Sequence, residues 1–366
     1  MSNQVIQSDR IAVFGVGGSG CRIVNRMASQ REEIDFFAID TDVETLASLQ
    51  VKTLQIKCNM VPNKPFSGRI NVVHDATVQY QKRLTDIVSP YDIIYLVSGM
   101  GGATGTGASK VIAQLVKDHG KDCIAVLSKP FLFEGKLRIR NAEIGIQELI
   151  SVVDMCHLVE CQSLFSLPSP ANVTLKASFQ IIDKIMQLVL SGCFSFQQQE
   201  PFHWKKIQEN NGGSHIEIGI ANQDTNIPKA LQHALNIHNN ARVDPQIMQA
   251  YLHLTGPVDL HDQCMDMANK TLRTSTDIAY HFDKQESPEE EYLFVVAFIV
   301  KNEPKEYPPP VKLIEQPLKI GAGGSRNHGL GGSFSTDILR PRLWLSASDK
   351  KKERSKPTDE SLSDKS

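Results

Sequence analysis

Short apolar runs recur through the first 160 residues, separated by stretches in which apolar residues return every three or four positions. "IAVFGV" from Ile11, "FFAID" from Phe36, "DIIYLVSG" from Asp92 and "CIAVLSKP" from Cys123 have the length and β-branched content of buried strands. "CHLVEC" from Cys156 offers a further one. Between them, "SKVIAQLVKDHG" sets Val111, Ile112, Leu115 and Val116 on one helical face, with Gly120 as a stop. Buried strands interleaved with amphipathic helices predict a parallel sheet covered on both faces. From Thr174 the run "TLKASFQIIDKIMQLVLSG" reads as a long helix ending at Gly192. It is apolar on more than one side, which predicts a central helix packed against two bodies.

The chain then restarts as α+β. "IEIGIA", "AYLHLTG", "DIAYHF" and "YLFVVAFIV" read as strands, and "PKALQHALNIHNN" and "DLHDQCMDMANKTLR" as helices. Beyond residue 301 the composition becomes Pro, Gly, Ser and charge without periodicity, as in linkers and tails. Within that tail "TDILRPRLWL" (336–345) is apolar enough to be a docking peptide or to pack back on its own core. The expected architecture is therefore α/β: a parallel-sheet domain (10–173), a central helix (174–192), a loop with a short helical turn (193–215), a smaller α+β domain (216–301) and a disordered tail (302–366).

Composition narrows this only a little. The chain has 366 residues, 41% of them hydrophobic, and a formal net charge of −2, which argues against a globally basic nucleic-acid binder. The polar start and the lack of about 18 consecutive apolar residues predict a cytoplasmic protein without a membrane span. Seven cysteines stand at irregular spacing without a C-x-x-C pair. Cys156, His157 and Cys161 raise the thought of a metal, but no second ligand pair accompanies them, and buried reduced thiols are the better reading.

Chemistry is concentrated in two glycine-rich stretches. Gly15-x-Gly17-x-x-Gly20, followed by Asp40 after the next strand, is the written form of a dinucleotide fingerprint, with Asp40 in the place of the ribose-binding acid. The second stretch, "SGMGGATGTG" (98–107), changes that meaning. It lies between a strand and a helix expected to begin near Ala108, and has no Gly-Lys-Ser/Thr of a P-loop. Five glycines there can turn many backbone N–H groups toward one point, and the hydroxyls of Thr104 and Thr106 can add donors. Two such loops on one sheet point to a nucleotide with more phosphate than a dinucleotide gives to a single turn.

"GGATGTG" resembles the G-G-G-T-G-[ST]-G signature of the tubulin and FtsZ superfamily, with Ala103 in place of one glycine. "GVGGSGCRIVNRM", "FFAIDTD", "KPFLFEGKLRIRNAEIGI" and "LTGPVDLHDQCMDMAN" are similar to successive FtsZ segments over roughly residues 10 to 300. The resemblance implies a site for GTP or GDP. Gly17, Gly18, Ser19, Gly20, Cys21 and Arg22 would meet the α- and β-phosphates; Gly101, Gly102, Ala103, Thr104, Gly105, Thr106 and Gly107 would hold the β- and γ-phosphates. Mg2+ would be held through the phosphates rather than by a protein ligand set. Glu134 would contact the ribose, Arg138 the nucleotide, and Phe179 and Asp183 would stack on and pair with the base. It also implies head-to-tail self-assembly into filaments, in which a loop of one subunit completes its neighbour's GTPase site. Co-assembly with another FtsZ-type protein and a membrane adaptor or other protein docked on the tail are further partners of this kind.

This chain departs from the pattern. Arg22 stands where the family has asparagine, "VECQSL" (159–164) replaces a proline-asparagine-aspartate segment, and "NKPFSGRINVVHD" is a poor match for the γ-phosphate-sensing loop. In "QQEPFHW" (198–204) Glu200 and His203 fall on the two catalytic acids of the N-x-D-F-x-D loop. A neutral histidine cannot supply a missing negative charge, so GTP turnover is expected to be reduced or lost.

Overall fold

The computed structural model describes residues 9–58, 66–166, 174–197, 213–222, 227–234, 247–273, 279–286 and 292–301. Its first sheet is parallel throughout: β1 (Ile11–Val16), β2 (Asp35–Asp40), β3 (Lys52–Gln55), β4 (Ile93–Gly99), β5 (Asp122–Lys129) and β6 (Met155–Glu160), in the order β3-β2-β1-β4-β5-β6. The central strands are buried along almost their whole length, which is why they read as continuous apolar runs. β3 and the short helix α2 (Val43–Ala47) before it were not legible in the pattern, because "KTLQ" is polar and only Leu54 is buried.

Helices cover both faces. Val13, Tyr95, Val97, Ile124 and Val126 pack against Ile23, Val24 and Met27 of α1 (Gly17–Met27) and Ile182, Ile185, Met186 and Val189 of α7 (Leu175–Gln197). On the opposite face Phe14, Ile94, Leu96, Ala125 and Leu127 meet α3 (Phe66–Gln79), α4 (Gln81–Val88), α5 (Ala103–Asp118) and α6 (Lys136–Ile150) through Val73, Leu84, Ile112, Val116, Ala142 and Ile146.

After α7 the described elements are β7 (Gly213–Asn222), α8 (Ile227–Ala234), β8 (Ile247–Gly256), α9 (Val258–Arg273), β9 (Ala279–Glu286) and β10 (Tyr292–Lys301). The strands form a second sheet, ordered β7-β10-β8-β9. Tyr251 and Val296 face α7 and join its core, while Leu252, Leu254, Val295 and Ala297 pack on α8 and α9. The helix α7 is therefore apolar on two sides because it has a sheet on each.

Two boundaries differ from expectation. α7 runs through Gly192 to Gln197; the glycine is buried in the helix, and packing outweighs its propensity cost of about 1 kcal/mol. α5 begins at Ala103, not near Ala108, so most of "GGATGTG" is helix rather than loop. The expected tail (302–366) lies outside the described residues, and so does the segment carrying Glu200 and His203.

Candidate functional site

Strand order reverses at β1, whose neighbours are β2 and β4, and the C-terminal ends of β1 and β4 are where an open parallel sheet of this kind has its ligand crevice. β1 runs directly into a helix there, and β4 reaches one through the short turn of Met100, Gly101 and Gly102. α1 starts at Gly17 behind the cap residue Val16, and α5 at Ala103 behind Gly102; neither cap makes a side-chain hydrogen bond and neither first turn contains an acid. The first amides of both helices thus have no side-chain partner, and both macrodipoles point their positive ends into one crevice. The two turns abut: a Cβ on Gly17, whose φ is 76°, would lie 2.9 Å from the Gly105 nitrogen. The Ser98 hydroxyl ties them further by donating to the Val16 carbonyl at 3.1 Å. Helical pairing uses the amides of Gly20, Cys21 and Arg22 one turn back, leaving Gly17, Gly18 and Ser19 as donors on the first side. On the second side Thr106 N donates to the Gly102 carbonyl and Gly101 N to the Thr106 hydroxyl, leaving Gly102, Ala103, Thr104 and Gly105.

The glycines fall into two kinds. A Cβ on Gly20 would sit 2.3 Å from the Val97 carbonyl oxygen, on Gly105 2.4 Å from that of Gly99, and on Gly107 2.5 Å from that of Ile70. Those three are glycine because backbone passes against backbone. Gly102 has nothing within 4 Å of a Cβ and Gly18 only an Arg22 nitrogen at 3.9 Å, and neither has a positive φ. Protein packing gives no reason for their bareness. A Cβ at either would stand in open space, so bare backbone at these two positions leaves room for a polyphosphate beside the free amides.

The Asp40 carboxylate, 5% exposed, is turned toward these loops. Its Oδ1 accepts from Thr41 N at 2.6 Å, Asp42 N at 3.3 Å and the Thr104 hydroxyl at 3.1 Å, and the hydroxyls of Thr41 and Thr104 are 2.9 Å apart. Thr41 was missed in the sequence, although its place in "AIDTD" beside Asp40 was the available signal. The Cys21 side chain points inward, beside the Gly15 and Ile39 carbonyls; burial, and then the Asp40 charge, push its thiol up to about 12. Only its backbone faces the crevice side.

Glu134, Arg138, Phe179 and Asp183 come together at the other end. Glu134 Oε1 accepts from Phe131 N at 2.9 Å and its Oε2 pairs with Arg138 Nε at 3.2 Å. The Arg138 backbone packs on Gly101, so this pair is joined to the second glycine turn. Cys161 lies between the two acids: its thiol is pushed up to about 12 by burial first, then by Glu134, with Asp183 adding to it. Phe179, 39% exposed, stands edge-on to Phe131 and Phe133, with Phe165 completing an aromatic cluster whose outer rings are open to solvent. Asp183, 4% exposed, is paired with Arg22: Nε to Oδ2 at 3.2 Å and Nη2 to Oδ1 at 3.4 Å. Arg26 approaches Oδ2 at 3.8 Å.

Cys156 and His157 are neighbours on β6 and point to opposite faces of the sheet, so they cannot close on one ion. Among the described residues no group of three or more His, Cys, Asp or Glu side chains is placed to hold a metal, and no helix is long and apolar enough to cross a membrane.

Residues 10–168, the first sheet and both glycine turns, match the profile of the Tubulin/FtsZ family, GTPase domain. Over this stretch, a little under half of its length, the chain is similar to the tubulin/FtsZ GTPase domain. It is 33% identical over 194 residues to the cell division protein FtsZ of Buchnera aphidicola (from Acyrthosiphon pisum), covering 52% of this chain and 49% of that one. Against the cell division protein FtsZ of Pseudomonas aeruginosa it is 30% identical over 192 residues, 52% and 48% of the two chains. The chain thus spans about half the length of these curated relatives. In fold it is similar to an FtsZ dimer of M. jannaschii (TM-score 0.63, 24% identity, 80% of this chain and 88% of that one). A GTPγS-bound CetZ2 protofilament of Haloferax volcanii is a more distant neighbour (TM-score 0.57, 16% identity, 80% and 94%). What marks this FtsZ-like chain is Arg22, whose guanidinium lies across the acid expected to read the base.

Proposed function

We propose that this chain binds GTP and GDP across the N-termini of α1 and α5, and assembles head to tail into filaments with slow or absent GTP hydrolysis. The observation that carries the reading is the pair of abutting, uncapped helix N-termini fronted by Gly18 and Gly102, two glycines that packing does not require. The amides of Gly17, Gly18 and Ser19 would hold the α- and β-phosphates, and those of Gly102 to Gly105 the β- and γ-phosphates, with Mg2+ shared between phosphate oxygens and water. Glu134 and Arg138 would serve the ribose side, Phe179 the base face and Asp183 its edge. The relatives' name, cell division protein FtsZ, and the CetZ2 protofilament support a filament as the working form.

Hydrolysis in such an arrangement is a matter of positioning a water against the γ-phosphate. Glu200, one methylene longer than aspartate, would orient that water from the next subunit; His203 would leave the second acid's charge unsupplied. GTP turnover per subunit, measured with Mg2+ over a wide range of protein concentration, tests this. A specific rate rising above a threshold concentration supports a site completed by assembly, and Glu200→Ala then abolishes it. A flat, near-zero rate with guanine nucleotide bound favours a non-hydrolysing homologue that regulates or co-assembles with another FtsZ-type filament, as His203 in place of the second acid suggests. No nucleotide binding at all overturns the proposal.

A further inference from the structure

We infer that Arg22 is an internal competitor for the base-reading carboxylate Asp183 and thereby sets the base selectivity of the site. The inference rests on the guanine-nucleotide reading above. A guanidinium presents two parallel N–H donors on one N–C–N edge. Guanine presents the same unit in its N1–H and exocyclic amine, because its ring contains a guanidine. The Nε and Nη2 of Arg22 lie on Oδ2 and Oδ1 of Asp183, which is the two-donor contact a guanine edge would make. Arg22 brings a full positive charge to a carboxylate that is almost wholly buried, whereas the base edge is neutral, so the side chain competes with an electrostatic advantage.

The side chain is also held at its far nitrogen, where Nη1 donates to the Gly18 carbonyl at 3.3 Å. Arg22 thus links the first phosphate turn to the base acid, with half of its side-chain surface still in solvent. Arg26 lies beside the same oxygen at 3.8 Å, so Asp183 keeps one cation when Arg22 is removed. Phosphate binding to backbone amides and stacking on Phe179 do not distinguish one purine from another. Discrimination between guanine and hypoxanthine, which has N1–H but no exocyclic amine, would have to come from Asp183. With Arg22 on Asp183 that discrimination is weak; with Arg22 gone it is restored.

The test is equilibrium binding of GDP, IDP and ADP, each with Mg2+, to the full chain and to Arg22→Ala and Arg22→Lys. Lysine keeps a charge near Asp183 without the two-donor edge, so it carries the test even if the alanine variant does not fold. The unsubstituted chain is expected to prefer GDP over IDP by less than about threefold, and each variant by about tenfold or more, from one recovered two-donor pair. GDP itself should bind the variants more tightly, while ADP, which lacks that donor pair, changes little. A strong GDP preference already present in the unsubstituted chain overturns the inference. So does a loss of GDP affinity in both variants with the GDP-to-IDP ratio unchanged, which would make Arg22 a direct ligand of the nucleotide. If all three diphosphates fail to bind chains that remain folded by thermal unfolding, the nucleotide site falls, and the inference with it.

Discussion

The Thr104 hydroxyl donates to the buried Asp40 carboxylate at 3.1 Å, hooking the first turn of α5 to the end of β2 across the intervening β1. In a dinucleotide site the acid at this strand end is presented outward to a ribose hydroxyl. Here it is almost fully buried, and its Oδ1 also accepts from the amides of Thr41 and Asp42. A carboxylate so enclosed is held by the turns around it rather than presented outward.

Replacing that threonine by valine keeps the shape and removes the hydroxyl. Asp40 retains two amide donors, so Thr104→Val is expected to lower stability by only about 1 kcal/mol in denaturant unfolding. GDP affinity should fall by about tenfold or more if the hydroxyl also serves a phosphate, since hydrogen bonds to charged groups are worth about 1.5–3 kcal/mol. Unchanged GDP affinity would confine Thr104 to its bond with Asp40.

The two kinds of glycine separate folding from binding. Gly105→Ala forces a Cβ to 2.4 Å from the Gly99 carbonyl oxygen, where only backbone can yield. It is expected to cost about 3 kcal/mol or more, or to prevent soluble expression. Gly102→Ala meets nothing within 4 Å, and its φ of −83° suits alanine. Its unfolding free energy should stay within about 1 kcal/mol of the unsubstituted chain while nucleotide binding weakens, because the added methyl stands before the free amides. A Gly102→Ala protein with full nucleotide affinity would remove the phosphate from this turn.

His157 supplies a pH dependence. It is 2% exposed on β6, and burial lowers its pKa from 6.5 to about 4. Above pH 6.5 the imidazole is neutral in folded and unfolded chains alike and contributes no slope. Between pH 6.5 and about 4 the unfolded chain takes up a proton that the folded one refuses, so stability drops as the pH falls, by about 3 kcal/mol in all. Below about 4 both states are protonated and the slope ends. Urea unfolding of the unsubstituted chain and of His157→Leu at pH 7.5, 5.5 and 4.5 should show this difference; parallel curves would show that His157 becomes charged without unfolding the protein.

Much of the fold was legible because burial leaves a simple imprint on it. β1, β4 and β5 are covered on both faces and read as unbroken apolar runs. Gly120, with φ 68°, ends α5 as expected. The start of α5 was hidden because Gly and Thr have poor helix propensity, and the helix begins there only through what α3 and β4 pack around it: the carbonyl of Ile70 against Gly107, that of Gly99 against Gly105. The two glycine turns were legible because close backbone approach demands glycine at Gly20, Gly105 and Gly107. The Arg22–Asp183 pair was not, since its partners stand 161 residues apart and nothing in the pattern joins them. Arg22 could be seen only as a departure, and its meaning lay in the acid that the fold brings to it.

The position of α7 bears on what counts as a unit in this protein. The family profile stops at residue 168, before the helix begins, yet Tyr251 and Val296 of the second sheet share one continuous core with Val13, Tyr95 and Met186. A helix with a sheet on each side cannot lose one of them without baring an apolar flank to water. Cut at the border of the profile, that stretch would lack both the helix that seals its inner face and the layer that seals that helix.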